Sequence, residues 1–282
     1  METLLVTGGS GRIGSAVLSH AADAGYRTIN LDLMPDSGAS DRFIHADVTD
    51  AGEVYGALGV ERPDAIIHLG AIPNAGRHPE HIVYESNAMG AYHVFEAASA
   101  YGVDAVCAAS SIQSMGTSVD GWVEYLPVDE EHPMAPRNSY ELGKQTVEFL
   151  ADGFIRREGS PTSIATFRFP LVTTDAEFRD RLPEDPTDLD DPQGRFLFSY
   201  CAIDDVARLL LRAVETDLGG HERFWVSGPD TRTEMPTPEL IAEYHPTAEI
   251  VTELTGHDPL ISTQKASELL GWEPAISWRE LV

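Results

Sequence analysis

Residues 3–7 (TLLVT) form a short apolar run that stops at a glycine cluster, and beyond it the apolar positions change period. Ile13, Val17, Leu18 and Ala21 recur at helical spacing up to Gly25, so strand, turn and helix follow in order. Residues 26–31 (YRTINL) read as a second strand that sets Asp32 at its carboxyl end. The alternation continues with a strand over 42–46 leading to Asp47-Val48, a helix over 51–59, a strand over 65–69, a helix over 81–101 and a strand over 105–109. A helix over 139–157 follows Pro136, with Asn138 or Ser139 as cap and Leu142, Val147, Leu150 and Phe154 as its apolar face. Strands alternating with helices imply parallel pairing, so the expected class is α/β with a doubly wound parallel sheet.

The second half carries a strand over 163–168, an amphipathic helix over 205–216, a strand over 222–227 and a helix over 236–244. The expected division is a nucleotide-binding domain over 1–168, including the helix at 139–157. A small α/β substrate-binding lobe covers 169–282, with 196–216 returning to the core. Trp272 and Trp278 read as packing anchors of a closing segment.

Composition changes this picture in one respect. Asp and Glu number 46 against 19 Lys and Arg, giving a net charge of -27, and Lys144 and Lys265 are the only lysines. Such a surface repels nucleic acid and anionic membranes. A hydrophobic content of 42% argues against disorder. An acidic, lysine-poor surface around an ordinary core suggests a halophilic setting, in which counterions screen the repulsion. The acidic runs Glu184-Asp185 and Asp188 to Asp191 read as solvent-facing. Cys107 and Cys201 read as small buried side chains. A strand that begins at residue 3 leaves no room for a signal peptide, and no apolar run reaches spanning length, so the expected location is cytoplasmic.

The glycine cluster is Gly8-Gly9-Ser10-Gly11-Arg12-Ile13-Gly14. It follows a strand, opens a helix and has an acid at the next strand's end, the arrangement a dinucleotide requires. Glycine admits the tight turn and the close approach of backbone to pyrophosphate, and the helix start offers unpaired N–H groups. Asp32 can accept from the ribose hydroxyls and would repel a 2′-phosphate, which favours NAD; Arg12 leaves NADP possible. Ligands of such sheets bind beyond the carboxyl strand ends, where Gly8, Asp32, Asp47, Gly70, Ser110 and Ser111 fall.

A scarce lysine one helical turn after a tyrosine is the other chemical signal. Tyr140 and Lys144 share one side of the helix. A free phenol ionises near pH 10, and a nearby ammonium together with the helix start favours the phenolate, which makes Tyr140 a candidate base. Ser111 can hydrogen-bond the substrate hydroxyl that Tyr140 deprotonates, and Lys144 can also hold the nicotinamide ribose. His78 and His81 stand too isolated for a zinc site, so no metal is expected.

These motifs carry a resemblance. TGGSGRIG at 7–14, Asp32, Asp47-Val48, HLGA at 68–71, Asn87, Ser110-Ser111, YELGK at 140–144, IDDVARLLLRA at 203–213 and ELLGWEP at 268–274 resemble the extended short-chain dehydrogenase/reductase family, the epimerase/dehydratase group. The resemblance implies a Rossmann sheet and Ser111, Tyr140 and Lys144 as the catalytic set. It also implies that Asp47 and Val48 contact adenine, that Leu69, Gly70 and Ala71 lie against the pyrophosphate, and that Asn87, Ser110 and Pro170 support the cofactor. Family members commonly dimerise through two helices, here matching 83–101 and 140–157.

The net reaction is open at this level. Nucleotide-sugar members typically follow the strand arginine with an aromatic pair and an asparagine; here Arg168-Phe169-Pro170-Leu171 puts leucine at that place. Leucine has no hydrogen-bonding group to offer a diphosphate or a base. Only thirty residues separate Val172 from the segment at 203–207, which leaves little room for a nucleotide-sugar cradle. Dehydratase members carry Asp-Glu where this chain has Ile112-Gln113. Ile112-Gln113 makes dehydration the least expected reaction, while the leucine and the short interval favour a small sugar, a free aldose or sugar acid, oxidised to a lactone, with a nucleotide-sugar 4-epimerase holding NAD tightly as the alternative. Gln113 and the loop residues Asn74, Arg77 and His78 are candidate sugar contacts. By resemblance to the uronate dehydrogenases of the family, Arg179 is another, with its neighbour Arg181 close behind.

Overall fold

The computed structural model describes residues 2–35, 38–116, 122–157, 161–180 and 196–281, except for the side chains of Arg179 and Asp180. Arg181 and the acidic runs at 184–191 lie outside the described residues. The chain divides into two compact units, Met1–Ser110 with Asn138–Phe167 and Ala207–Arg223, and Ser111–Arg137 with Arg168–Val206 and Phe224–Val282. By this division residues 111–137 go with the second unit and 207–223 with the first.

The first unit follows the alternation of the sequence. Thr3–Thr7 (β1), Arg12–Asp23 (α1), Arg27–Asp32 (β2), Arg42–His45 (β3), Ala51–Glu61 (α2), Ala65–His68 (β4), Glu80–Tyr101 (α3), Ala105–Ser111 (β5) and Ser139–Ile155 (α4) appear in that order. With Ser163–Phe169 (β7) and His221–Trp225 (β10) they build a seven-stranded sheet of order β10-β7-β5-β4-β1-β2-β3. The inner pairs run parallel. Leu4, Leu5, Val6, Ile66 and Ile67 are fully buried, as expected of central strands covered by helices on both faces. Val54 and Leu58 of α2, Val94 and Phe95 of α3, and Val147 and Phe154 of α4 join Leu5, Ile29 and Ile66 in one core.

Register sets the chemistry. Thr7 pairs with Leu31 on one side and His68 on the other, so Gly8, Asp32 and Leu69 leave the sheet side by side. The sequence reading ended β5 at residue 109; the strand runs on to Ser111, because Ser110 and Ser111 keep extended backbone until a 3-10 turn begins at Ile112.

The second unit contains short strands with too few residues to show a period. Tyr125–Leu126 (β6) pairs with Glu249–Ile250 (β11), and Leu171–Thr173 (β8) with Tyr200–Ala202 (β9). Asp175–Asp180 (α5), the start of Ile203–Glu215 (α6), Thr237–Tyr244 (α7) and Gln264–Leu270 (α8) complete it. Its core includes Met115, Leu126, Phe198, Trp225, Leu240 and Ile261. Trp272 and Trp278 are buried and donate their indole N–H groups to the carbonyls of Asp205 and Thr231, each at 3.0 Å. Among the described residues no helix is long and apolar enough to cross a membrane, and no cluster of three metal-ligating side chains occurs.

Candidate active site

The glycine turn works as a close-packed hinge between β1 and α1. Gly8 has φ +68°, and a Cβ there would lie 2.7 Å from the Gly70 nitrogen. At Gly14 a Cβ would come within 2.2 Å of the Gly8 carbonyl oxygen, so helix and turn meet without room for a side chain. Gly11 caps α1 with extended backbone and no side-chain partner, which leaves the helix start open to a ligand.

Above this turn lies a crevice of about 370 Å³ in the first unit. Gly8, Gly11, Asp32, Asp47, Val48, Leu69, Gly70 and Ala71, all expected at a cofactor, are on its wall. So are Ser10, Leu33, Met34, Ile72 and Ser86, which sequence reasoning did not single out. Leu33 and Met34 are 52% and 66% exposed, and two apolar residues directly after the strand-end acid were the available signal for an apolar stretch of this wall. Arg12 and Ile13 occupy the first turn of α1, with Arg12 exposed.

The acid is held in place by the backbone around it. Asp32 accepts the Ser10 N–H on Oδ2 and the Met34 N–H on Oδ1, each at 3.0 Å. Ser10 Oγ in turn accepts from Asn30 Nδ2 at 2.9 Å and donates to the Met34 carbonyl. Asp47 Oδ1 accepts from the Thr49 backbone and hydroxyl, each at 2.8 Å. His93 Nδ1 lies 3.0 Å from the Val48 carbonyl oxygen, which fixes that segment from α3.

Under the crevice floor, the Gly70 N–H donates to Thr7 Oγ1 at 3.1 Å, and that hydroxyl lies 2.7 Å from His68 Nδ1. Burial, reinforced by the Lys144 charge, pushes the His68 pKa down to about 3. Asn87 is buried and spends both ends of its amide on Ile72, accepting from N–H at 2.8 Å and donating to C=O at 3.1 Å. It thereby clamps the loop that follows β4.

Helix α4 begins with a capping box. Asn138 Oδ1 accepts the Glu141 N–H at 3.0 Å, and the Asn138 N–H donates to Glu141 Oε2 at 3.3 Å. That fixes the turn bearing Tyr140, which is 6% exposed; Lys144 is 4% exposed. The Lys144 ammonium lies 5.9 Å from the centre of the Tyr140 ring and donates to the Ala109 carbonyl at 3.0 Å. Burial lowers the Lys144 pKa from 10.5 to about 8. Ser110, expected as a cofactor contact, donates its hydroxyl to Glu148 Oε1 at 2.7 Å inside the unit.

In the second unit, Ser111 ends β5 and caps the 3-10 turn, its Oγ accepting the Gln113 N–H at 3.2 Å. That bond leaves the hydroxyl proton available to a ligand. Gln113 is half-buried. Pro170 is buried and Leu171 is 44% exposed beside it. Arg168, on β7, is buried with its guanidinium 4.9 Å from the Trp225 ring centre. Arg179 falls on α5, with its side chain outside the described residues. In the first unit Asn74 is half-buried and Arg77 and His78 are exposed, all on the loop before α3.

A parallel sheet with an open glycine turn, a fixed acid at the second strand's end and a crevice over both defines a dinucleotide-binding protein of the doubly wound type. The chain matches the NAD dependent epimerase/dehydratase family over residues 4–172. It belongs to that family, and its cofactor is NAD. A UDP-glucose 4-epimerase of Rhizobium leguminosarum bv. trifolii is 26% identical, with 100% of this chain and 95% of that protein aligned. The fold is shared with an NAD-bound short-chain dehydrogenase/reductase superfamily protein of Agrobacterium tumefaciens, at TM-score 0.74 and 21% identity over 99% of this chain and 94% of the other. A mutated uronate dehydrogenase aligns at TM-score 0.69 and 25% identity over 99% of this chain and 84% of its own.

Proposed function

We propose that the protein is an NAD-dependent dehydrogenase of a small sugar, a free aldose or sugar acid, oxidised at C1 to the lactone. Ser111 binds and orients the sugar hydroxyl, and Tyr140 takes its proton. Lys144 supports the phenolate and holds the ribose of the cofactor. The chemistry supplied by bound NAD is acceptance of a hydride at the nicotinamide. The Asp32 carboxylate, fixed by Ser10 and Met34, favours ribose hydroxyls over a 2′-phosphate, so NAD is preferred to NADP. Asn74, Arg77, His78, Gln113 and Arg179 are the proposed sugar contacts.

Leu171 carries the choice of substrate. Partly exposed after Pro170, it offers hydrocarbon where the nucleotide-sugar members of the family present an amide. A second reading, nucleotide-sugar 4-epimerase with tightly held NAD, is favoured by the full-length similarity to a UDP-glucose 4-epimerase. One assay separates them. The protein is incubated with excess NAD or NADP and a panel of free aldoses, uronates and UDP-sugars while the absorbance of reduced cofactor is followed. Reduced cofactor far beyond the enzyme concentration supports the dehydrogenase; an epimerised UDP-sugar without net reduction supports the epimerase and overturns the first reading.

A homodimer through α3 and α4 belongs to the same proposal. Tyr84 and Met89 on α3 and Leu142 and Phe149 on α4 are exposed, Phe149 at 70%, and Tyr84 reaches Thr146 across the pair at 3.3 Å. Sedimentation is expected to give twice the mass of the chain, and Phe149→Glu to give a monomer. A salt-rich cytoplasm is the proposed setting.

A further inference from the structure

Helix α4 carries a row that extends past the two residues assigned to chemistry. Tyr140, Lys144, Glu148 and Asp152 follow at intervals of four, so they stack along one side of the helix. The first two are the proposed base and its ammonium. Glu148 is 3% exposed, which for a carboxylate requires partners. It has them on both oxygens. Oε1 accepts the Ser110 hydroxyl at 2.7 Å and Oε2 the Arg223 Nε at 3.2 Å. Asp152, a turn further on, takes the other side of the Arg223 guanidinium and bonds His221 Nδ1 at 2.8 Å; His221 Nε2 in turn lies 2.9 Å from Thr166 Oγ1.

The consequence lies at the end of β5. Lys144 donates to the carbonyl of Ala109, and Glu148 accepts from the hydroxyl of the next residue, Ser110. Two successive turns of one helix are thus pinned to two successive residues of one strand. The backbone oxygen that holds the ammonium is itself held by Glu148 through Ser110.

We propose that Glu148 is a positioning residue for the reaction, setting the place of the Lys144 ammonium through Ser110 and the Ala109 carbonyl. This rests on the reading of Lys144 as part of the catalytic set. A displacement of the ammonium by about 1 Å is enough to cost about 100-fold in rate, so a residue that never touches substrate can control turnover. Glutamine keeps an acceptor for Ser110, whereas alanine removes it.

Because Lys144 and Lys265 are the only lysines, protein labelled with carbon-13 at lysine Cε gives two side-chain signals, assigned with Lys265→Arg. In the full chain, with NAD present, Glu148→Ala and Ser110→Ala are expected to shift the Lys144 signal towards that of a free lysine while the Lys265 signal stays. Glu148→Gln is expected to restore it. Where wild type turns over D-glucuronate, D-glucose or UDP-glucose, Glu148→Ala is expected to lower kcat by about 100-fold, and Glu148→Gln to recover most of it. Ser110→Ala, which removes one oxygen, serves if Glu148→Ala does not fold. A Lys144 signal unmoved in folded Glu148→Ala or Ser110→Ala overturns the proposal. Absence of turnover by wild type on the three sugars counts against the enzymatic readings and not against this placement of Lys144, because the lysine signal reports position without substrate.

Discussion

Lys144 bears two opposed demands. Its ammonium is wanted beside a phenol, yet burial favours the neutral amine, and the fall from the ordinary 10.5 to about 8 corresponds to about 3 kcal/mol. The folded state therefore binds this proton less tightly than the unfolded chain. Stability from this group rises as pH climbs from about 8 to about 10.5, where the unfolded chain keeps the proton that the folded one has lost. Lys144→Met is expected to raise stability at pH 7 by about 1 to 3 kcal/mol in denaturant titration while abolishing turnover, a trade of function against stability. In the wild type, activity is expected to fall as pH rises through about 8, where the ammonium is lost. Tyr140→Phe is expected to lower kcat by about 100-fold or more with little change in NAD affinity by calorimetry, since the proposed base is removed and the crevice is left intact. Tyr140 and Lys144 were legible in the sequence because helical spacing fixes which side chains are neighbours. The partners of Ser110, Asn87 and His68 were not, because sequence gives the strand or helix on which a side chain sits but not which distant element receives it.

At the level of elements, the sequence placed strands and helices of the first unit within a few residues, since each long segment has a period of its own. Strands of two or three residues, such as β6, β8, β9 and β11, have none and went unread. The glycine turn shows how tightly one element constrains the next. Gly14→Ala would drive a methyl group against the Gly8 carbonyl and the Gly9 Cα, atoms of backbone that have no rotamer to retreat into. The expected outcome is loss of measurable NAD binding in calorimetry, with the lysine signals and far-ultraviolet circular dichroism close to wild type. Retained affinity would mean that the helix start can move back, and that its contact with the turn is not what shapes the phosphate site. Gly90 and Gly70 act in the same sense, since a Cβ at either would press on Val48, at 2.9 Å and 3.2 Å.

For the whole molecule, a net charge of -27 on 282 residues makes self-repulsion a property of the folded state. Screening shortens the reach of these charges from about 10 Å at 0.1 M salt to about 3 Å at 1 M. The melting temperature is therefore expected to rise steeply with KCl between these concentrations. A flat response would show that the acidic side chains are spaced so that they do not feel one another, and would remove the argument for a salt-rich setting. The parallel sheet and its crevice were legible at this scale because alternation dictates topology. The substrate was not, because most of the proposed sugar contacts lie on loops and turns whose placement depends on the fold as a whole.

The depth of Lys144 has a practical outcome for anyone handling the protein. Of the two lysines, Lys265 is the less deeply buried, with its ammonium 5.6 Å from the centre of the Phe224 ring. An ester-activated dye is therefore expected to react at Lys265 ahead of Lys144, as mass spectrometry of the digested protein would show.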